Sequence, residues 1–170
     1  MPFTPLHMGP GILAKAVLQG SFSLMVFGWA QILMDIQPLL VMLSGEGHLH
    51  GFTHTYFGAT LIAPVAALSG KYLGEVGLRL FQLPQYLPIR WPAAFLGAFI
   101  GTYSHIVLDS IMHADIQPLA PFSESNILFR AISLGYLHVF CVTAGLVGGA
   151  LYFAINAWLA GRKDAGADSA

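Results

Sequence analysis

The chain has 170 residues, of which 56% are hydrophobic and 9% are charged. A soluble domain carries about 25% charged residues, so this composition excludes an ordinary water-soluble globule and predicts an integral membrane protein. Seven basic residues against eight acidic ones give a net charge of −1, so we expect no nucleic-acid partner. The single cysteine, Cys141, excludes an intramolecular disulfide and a cysteine-rich zinc site.

The N-terminal segment predicts a short helix. Gly9, Pro10 and Gly11 precede an apolar stretch at 12–19, which Gly20 ends. A helix that spans a membrane needs roughly 17–25 mainly apolar residues. This stretch is too short and therefore predicts a re-entrant or interfacial helix.

Four longer apolar runs follow in chain order, at 21–36, 55–69, 92–112 and 132–159. The last two are long enough to span, and the first two reach that length with their apolar flanks. Residues 71–90 mix charges and two prolines with large apolar side chains, which favours an amphipathic helix on the membrane surface. We predict an all-α, polytopic membrane helical bundle of about four spanning helices. It forms one domain, 1–161, and we expect the polar tail, 162–170, to be disordered.

The basic residues predict the orientation of this bundle. With four spans, the N-terminus, the second loop and the C-terminus share one side. That side carries all the basic residues except Arg130: Lys15, Lys71, Arg79, Arg90, Arg162 and Lys163. The positive-inside rule places it in the cytoplasm, so the first and third loops face outward from a bacterial-type inner membrane.

Most of the polar chemistry of the chain falls at the outward end. The residues concerned are His48, His50, His54, His105, His113 and His138, together with Asp35, Asp109, Asp115 and Glu124. His105, Asp109 and His113 are four residues apart and share one helical face, and His50 and His54 have the same spacing. Imidazole and carboxylate donors on adjacent turns converge on one divalent ion. An ionisable group inside an apolar span is costly, which marks each as a functional candidate.

Other residues have simpler interpretations. His138 fits an interhelical hydrogen bond, His48 a solvated loop, Asp115 a turn cap and Glu124 an exposed loop charge. Pro38 is expected to end the first span beside Asp35. Five glycines predict close helix approaches, namely Gly97, Gly101, Gly145, Gly148 and Gly149.

Four segments resemble, in order and spacing, those of the YdjM-type inner-membrane-bound proteins, a family of predicted metal-dependent hydrolases. They are 4–7 (TPLH), 34–38 (MDIQP), 50–55 (HGFTHT) and 104–109 (SHIVLD). The family has an early His, a D-I-D-H-P-like segment, an H-R-G-x-T-H-S segment and S-H-x-x-x-D on a later helix. The resemblance covers about two thirds of the chain, and the last two segments are the most specific.

The resemblance implies a polytopic membrane enzyme that binds one or two divalent metal ions, with zinc as the first choice. Carried over by position, the implied ligands are His7, Asp35, His54, His105 and Asp109. Gln37 stands where the family often has a second Asp, so a bridging carboxylate is absent there, and the site holds one ion or two as open alternatives. His50 stands where the family has Arg, one position after its usual His, so both His48 and His50 stay open as a further ligand.

His7 conflicts with a cytoplasmic N-terminus, because the other implied ligands lie at the outward end. The conflict disappears if the helix at 12–19 dips in from the outer face or crosses as an additional shortened helix. We favour this arrangement, which leaves the later spans unchanged.

These observations together predict metal-assisted hydrolysis at the outer membrane–water boundary, on a lipid or lipid-linked phosphoester or ester. A metal-bound water with a pKa of about 7 is the expected nucleophile. His113 or Asp115 is expected to act as general base or to orient a ligand histidine.

Two other classes of protein use similar residues. A metal-ion or proton transporter or channel needs polar groups that continue to the cytoplasmic side, and the inner halves of the spans offer almost none. A non-catalytic protein stapled by metal needs a closed four-ligand site, and five or six candidate ligands are too many for one such ion. The sequence does not predict the oligomeric state.

Overall fold

The computed structural model describes the backbone of residues 5–167 and the side chains of residues 5–162. In this part of the chain the regular structure is entirely helical. The α-helices are α1 (Met8–Leu18), α2 (Leu24–Ser44), α3 (Tyr56–Leu80), α4 (Trp91–Met112) and α5 (Leu134–Ala167). Short 3₁₀ turns lie at Pro5–His7, Gln19–Ser21, Phe52–His54 and Pro84–Tyr86. The predicted all-α class is confirmed.

Local sequence signals explain where the long helices begin and end. The Ser23 hydroxyl accepts from the Val26 N–H at the start of α2, and the Thr55 hydroxyl accepts from the Gly58 N–H at the start of α3. Gly45, with φ of 72°, ends α2 in the left-handed conformation. Pro38 does not end α2, as we had expected. The proline lies buried inside the helix, where packed neighbours offset the lost hydrogen bond.

Among the described residues, three helices are long and apolar enough to cross a membrane: α2, α4 and α5 up to Arg162. α3 is not among them, because its second half carries Lys71, Glu75 and Arg79. The predicted count of four spans therefore stays a prediction. Large apolar side chains project outward along α5, as in a helix that faces lipid.

The predicted surface helix at 71–90 is wrong. Residues up to Leu80 continue α3, and the segment beyond consists of turns. Lys71, Glu75 and Arg79 are spaced by one helical turn, and Glu75 pairs with both basic side chains. Such pairs stabilise a continuous helix.

Helices α2, α3 and α4 pack around a core rich in alanine, which includes Ala30, Ala63, Ala67 and Ala98. α5 packs chiefly against α1. Here the glycines permit close approach: a Cβ on Gly148 would lie 2.6 Å from the Leu13 backbone.

α1 runs alongside α5 in the same direction. Gly9 lies against Cys141 near one end, and Gln19 accepts a hydrogen bond from Asn156 near the other. The segment that begins at Pro5 therefore starts at the end of the bundle where α4 finishes. This agrees with the arrangement that we favoured for His7. α5 enters the predicted polar tail as far as Ala167, and residues 168–170 lie outside the described residues.

Candidate metal centre

Four buried side chains from three parts of the fold meet between the helices. Asp35 comes from α2, His54 from the turn before α3, and His105 and Asp109 from α4. One donor atom of each lies within 4.8 Å of the others. Asp109 Oδ2 is 3.2 Å from His105 Nε2 and 3.5 Å from His54 Nε2. Asp35 Oδ1 is 3.6 Å from His105 Nε2. These four residues are called the His/Asp centre below.

A glutamine orients His105. The Gln31 amide nitrogen donates to the Gly101 carbonyl at 3.0 Å, which leaves the Gln31 oxygen directed toward His105 Nδ1 at 2.7 Å. The network therefore assigns the proton to Nδ1 of His105, which donates to Gln31. The lone pair of His105 then lies on Nε2, the nitrogen that faces the carboxylates.

A threonine orients His54 in the same way. The Thr53 hydroxyl donates to Gln37 Oε1 at 2.8 Å, and the Thr53 backbone N–H donates to the same oxygen at 3.0 Å. Since its one proton is used, the Thr53 hydroxyl accepts from His54 Nδ1 at 3.0 Å. The lone pair of His54 also lies on Nε2. Metal-bound histidines commonly donate their second nitrogen in this way.

The two Nε2 atoms of His54 and His105 are 3.3 Å apart. Both carry a lone pair in the assigned state, so neither has a proton to share with the other. Two such nitrogens beside the Asp35 and Asp109 carboxylates form an electron-rich pocket. Imidazole nitrogens and carboxylate oxygens are donors that divalent transition metals accept. The donor atoms of these four residues are therefore chemically suited to bind a divalent metal ion.

His7 extends this arrangement from the turn before α1. Its Nε2 is 3.3 Å from Asp109 Oδ1, and it is buried without a hydrogen-bond partner among the described residues. Burial lowers the pKa of His7 to about 4, although the charge of Asp109 opposes this effect. Burial likewise lowers the pKa of His54. Both imidazoles are therefore neutral at pH 7, the state in which histidine binds metal.

Donor atoms of His50, Asp109 and His113 also lie within 4.8 Å of one another; we call these residues the outer group. The His50 and His113 rings are 4.4 Å apart. Asp115 Oδ2 contacts His50 Nδ1 at 2.8 Å, which directs the other nitrogen of His50 toward the group. Burial raises the pKa of Asp115, but the hydrogen bond and the charge of His50, with smaller contributions from the Asp115 backbone and His113, together outweigh burial and bring the pKa below its usual value. Asp109 belongs to both groups.

A family model described as YdjM inner membrane protein matches residues 14–164. The chain belongs to the YdjM family. No curated protein and no solved structure matches it significantly. The family is described as an inner membrane protein, which agrees with the candidate membrane spans of this chain. The matched residues include all four members of the His/Asp centre. His7 precedes the matched residues, so the family match does not include it.

In this YdjM protein, most of the residues singled out in the sequence lie together. The contacts described above link eight of these residues: His7, Asp35, His50, His54, His105, Asp109, His113 and Asp115. Of His48 and His50, it is His50 that is buried in the outer group, whereas His48 is exposed. Glu124 is also exposed, and His138 is half-buried on α5.

Sequence reasoning missed Gln31, Thr53 and the part that Gln37 plays. Gln31 precedes Asp35 by one helical turn in an otherwise apolar stretch, which is a usable signal. Gln37, where the family often has Asp, holds Thr53 and thereby His54. The contacts that Gln31 and Gln37 make depend on how α2 packs against its neighbours, which the sequence does not show.

A cavity of about 480 Å³ lies beside the outer group. Its lining includes His48, His50, Asp115 and Gln117 as well as Phe52 and Phe57. We call it the polar cavity. A polar substrate group placed there lies next to the outer group.

Proposed function

We propose that this YdjM protein is a membrane-bound, metal-dependent hydrolase that acts on a lipid or lipid-linked phosphoester or ester. The observation that carries the proposal is the 3.3 Å approach of two lone-pair nitrogens, on His54 and His105, beside buried carboxylates. In a membrane bundle such a set of groups is costly unless a cation compensates it. The polar cavity gives this set access for a substrate.

The His/Asp centre would hold one divalent ion and the outer group a second, and Asp109 belongs to both groups. Zinc suits these donors, and Mn²⁺, Fe²⁺ and Ni²⁺ accept the same set. A bound ion supplies a water whose pKa lies near 7 and polarises the scissile ester or phosphoryl oxygen. Gln31 and Thr53 keep the histidines in the tautomer that this arrangement needs.

The roles of His113 and Asp115 follow from their positions. Asp115 is exposed at the edge of the polar cavity and hydrogen-bonds His50, so we assign it to orienting that histidine. His113 shares the outer group with His50, and we assign it to the second ion rather than to proton transfer. Burial lowers the pKa of His113, which keeps its ring neutral for this role.

The outward position of the site rests on charge. Four basic residues lie at the end of the bundle that is opposite the His/Asp centre: Lys15, Lys71, Arg79 and Arg90. We call this end of the bundle the basic end. The positive-inside rule places this end in the cytoplasm. The His/Asp centre then lies on the outer side, near the level where lipid headgroups meet water.

The test is metal content together with turnover in purified protein. We expect two ions per chain in the wild type, none in Asp109→Ala, and one in His113→Ala. The matched control, Glu124→Ala, removes an exposed carboxylate and retains both ions. The metal-loaded protein hydrolyses a member of a phospholipid and phosphoester panel, and Asp109→Ala does not.

Two results contradict the proposal. Full occupancy in Asp109→Ala removes the shared carboxylate from the ligand set. If the metal-loaded wild-type protein cleaves no member of the panel, the site binds metal but the proposed hydrolase activity is contradicted. If His113→Ala keeps both ions and loses turnover, His113 is the base that the sequence first suggested.

A further inference from the structure

The polar cavity has an apolar edge. Phe52 and Phe57 belong to its lining, and their side chains are 53% and 49% exposed. The two rings meet edge to face, with their centroids 5.9 Å apart. We call these two residues the phenylalanine rim. Large apolar side chains that are exposed together mark a surface that contacts lipid or another apolar partner.

The turns that follow α4 form another part of the cavity wall. Gln117, Ala120 and Pro121 line the cavity there. The Pro118 carbonyl accepts from the Tyr56 N–H at 2.9 Å, which fixes these turns against the start of α3. The cavity therefore has a wall held in place by α3, and α3 begins at its edge.

An apolar stripe runs along α3 from the phenylalanine rim. Its side chains recur at helical spacing and are each about half exposed: Phe57, Leu61, Val65 and Leu68. Residues 56–70 include no charged residue, and α3 packs against α2 and α4, which are both candidate membrane spans. The stripe therefore faces hydrocarbon.

The phenylalanine rim lies at the level where α3 enters the bilayer. Phe57 is the second residue of α3, and Asp109 lies three residues before the end of α4. Phe57 and Leu68 are eleven residues apart, which is about 16 Å at the helical rise of 1.5 Å per residue. The hydrocarbon core of a bilayer is about 30 Å thick, so one leaflet has a depth of about 15 Å. The stripe as far as Leu68 therefore spans the leaflet that is nearer the His/Asp centre.

We propose that the polar cavity binds the headgroup of a phospholipid that enters sideways from this leaflet, past the phenylalanine rim, while its acyl chain stays in the bilayer along the α3 stripe. This inference rests on the proposed function and names the substrate class and its route. The headgroup stays at the headgroup level and the chain stays in hydrocarbon, so entry moves no charge into the bilayer core. The ester or phosphoester then lies beside the outer group, because His50 lines the same cavity.

The lining of the cavity favours a phospholipid over a polyisoprenoid diphosphate. Among the described residues that line the polar cavity, none is lysine or arginine, and Asp115 adds a carboxylate. A diphosphate carries more negative charge than the single phosphodiester of a phospholipid, and basic side chains are the usual partners of such groups. A water-soluble phosphoester fits less well, since it has no chain to place along the α3 stripe.

Fluorescence quenching tests whether the phenylalanine rim lies in the bilayer. In a Cys141→Ala background, a nitrobenzoxadiazole probe is attached at Phe57→Cys. Metal-depleted protein is placed in nanodiscs with a phosphatidylcholine that carries a doxyl quencher near the ester end of its acyl chain. We expect strong quenching at Phe57→Cys and little at Glu124→Cys, an exposed acidic position in the loop after α4. Equally weak quenching at both positions overturns the inference.

Photolabelling tests whether a headgroup enters the cavity. The probe is a phosphatidylethanolamine with a diazirine on its amine, in nanodiscs with metal-depleted protein, so that no lipid is cleaved. We expect labels at 48–52, which contribute to the cavity lining. Ala120→Trp fills the cavity and lowers this labelling about tenfold, which corresponds to about 1.4 kcal/mol. Gln117→Trp, at an exposed position of the lining, has the same effect, and Ala131→Trp, exposed outside the lining, has none.

Labelling that neither Ala120→Trp nor Gln117→Trp lowers overturns the inference. A further arm uses metal-loaded protein: Phe57→Ser lowers turnover of a long-chain phospholipid in nanodiscs about tenfold and spares its soluble dibutyryl analogue. If no substrate is cleaved but labelling of 48–52 depends on the two cavity positions, the hydrolase proposal fails and the lipid site stands. If cleavage occurs and the labelling does not depend on them, the lipid site fails and the hydrolase stands.

Discussion

Gln31 connects the packing of α2 against α4 to the chemistry of His105. Its amide is fixed by the Gly101 carbonyl, and its oxygen accepts from His105 Nδ1. Without that acceptor the imidazole can protonate on either nitrogen and rotate. The free energy of metal binding then includes the cost of restoring one tautomer and one orientation.

We therefore expect Gln31→Leu to weaken metal binding about 10- to 100-fold, the usual effect of removing a partner that orients a ligand. Calorimetric titration of metal-free protein with Zn²⁺ measures the change. Gln85→Leu, in an exposed turn at the basic end, is the matched control and keeps the wild-type affinity. An unchanged affinity in Gln31→Leu shows that His105 does not depend on this hydrogen bond.

At the residue level the sequence predicted the clustering of His54, His105 and Asp109 well. The four-residue spacing of His105 and Asp109 predicts that they share one helical face. The family resemblance adds His54. Both signals can be read from short segments of the sequence. The partners of these residues were not predictable, because Gln31 and Thr53 act across helix contacts that sequence spacing does not encode. Gln37 shows the limit most clearly: it was interpreted only as a missing carboxylate, and it holds Thr53.

At the level of elements, α1 attaches α5 to the rest of the bundle and also positions His7. The contact depends on glycine, since a Cβ on Gly9 would lie 1.9 Å from the Cys141 carbonyl oxygen. A side chain at this interface moves α1 as a body. His7, which lies just before α1, would move away from Asp109 with it.

We expect Gly148→Val to separate α1 from α5 and to destabilise the protein by about 1–3 kcal/mol, as overpacking does. Thermal unfolding in detergent measures this loss, and Zn²⁺ titration reports any displacement of His7. Gly149→Val is the control on the same helix, because no atom lies within 4 Å of its Cβ position. Equal stability of the two variants would mean that the α1–α5 contact is not tight.

The glycines and the helix ends show how far the sequence predicted the helices and their contacts. Close approach at Gly97, Gly101 and Gly148 is confirmed, whereas the prediction for Gly149 is wrong because that residue faces open space. Composition indicated small residues at helix contacts, but it could not distinguish adjacent glycines by the direction each faces. Helix ends were less predictable still: α2 continues through Pro38, and charge pairs extend α3 to Leu80.

At the scale of the whole molecule, an apolar core separates the two polar ends. The described core between them consists of residues such as Val26, Ala30, Ala66 and Ala94, none of which is ionisable. A relay of protons or metal ions needs polar groups along its path. This arrangement favours chemistry at one end of the bundle over transport through it, as the distribution of histidines in the sequence had indicated.

The outward position of the His/Asp centre is testable by cysteine labelling in a Cys141→Ala background. Glu124→Cys reports the histidine end, and Gln85→Cys reports the basic end; both positions are exposed. The proposal that the end with the excess of basic residues lies in the cytoplasm rests on the positive-inside rule. We therefore expect a membrane-impermeant maleimide to label Glu124→Cys in intact spheroplasts and Gln85→Cys only after lysis. The reverse pattern would turn the site toward the cytoplasm and require a substrate from the inner leaflet.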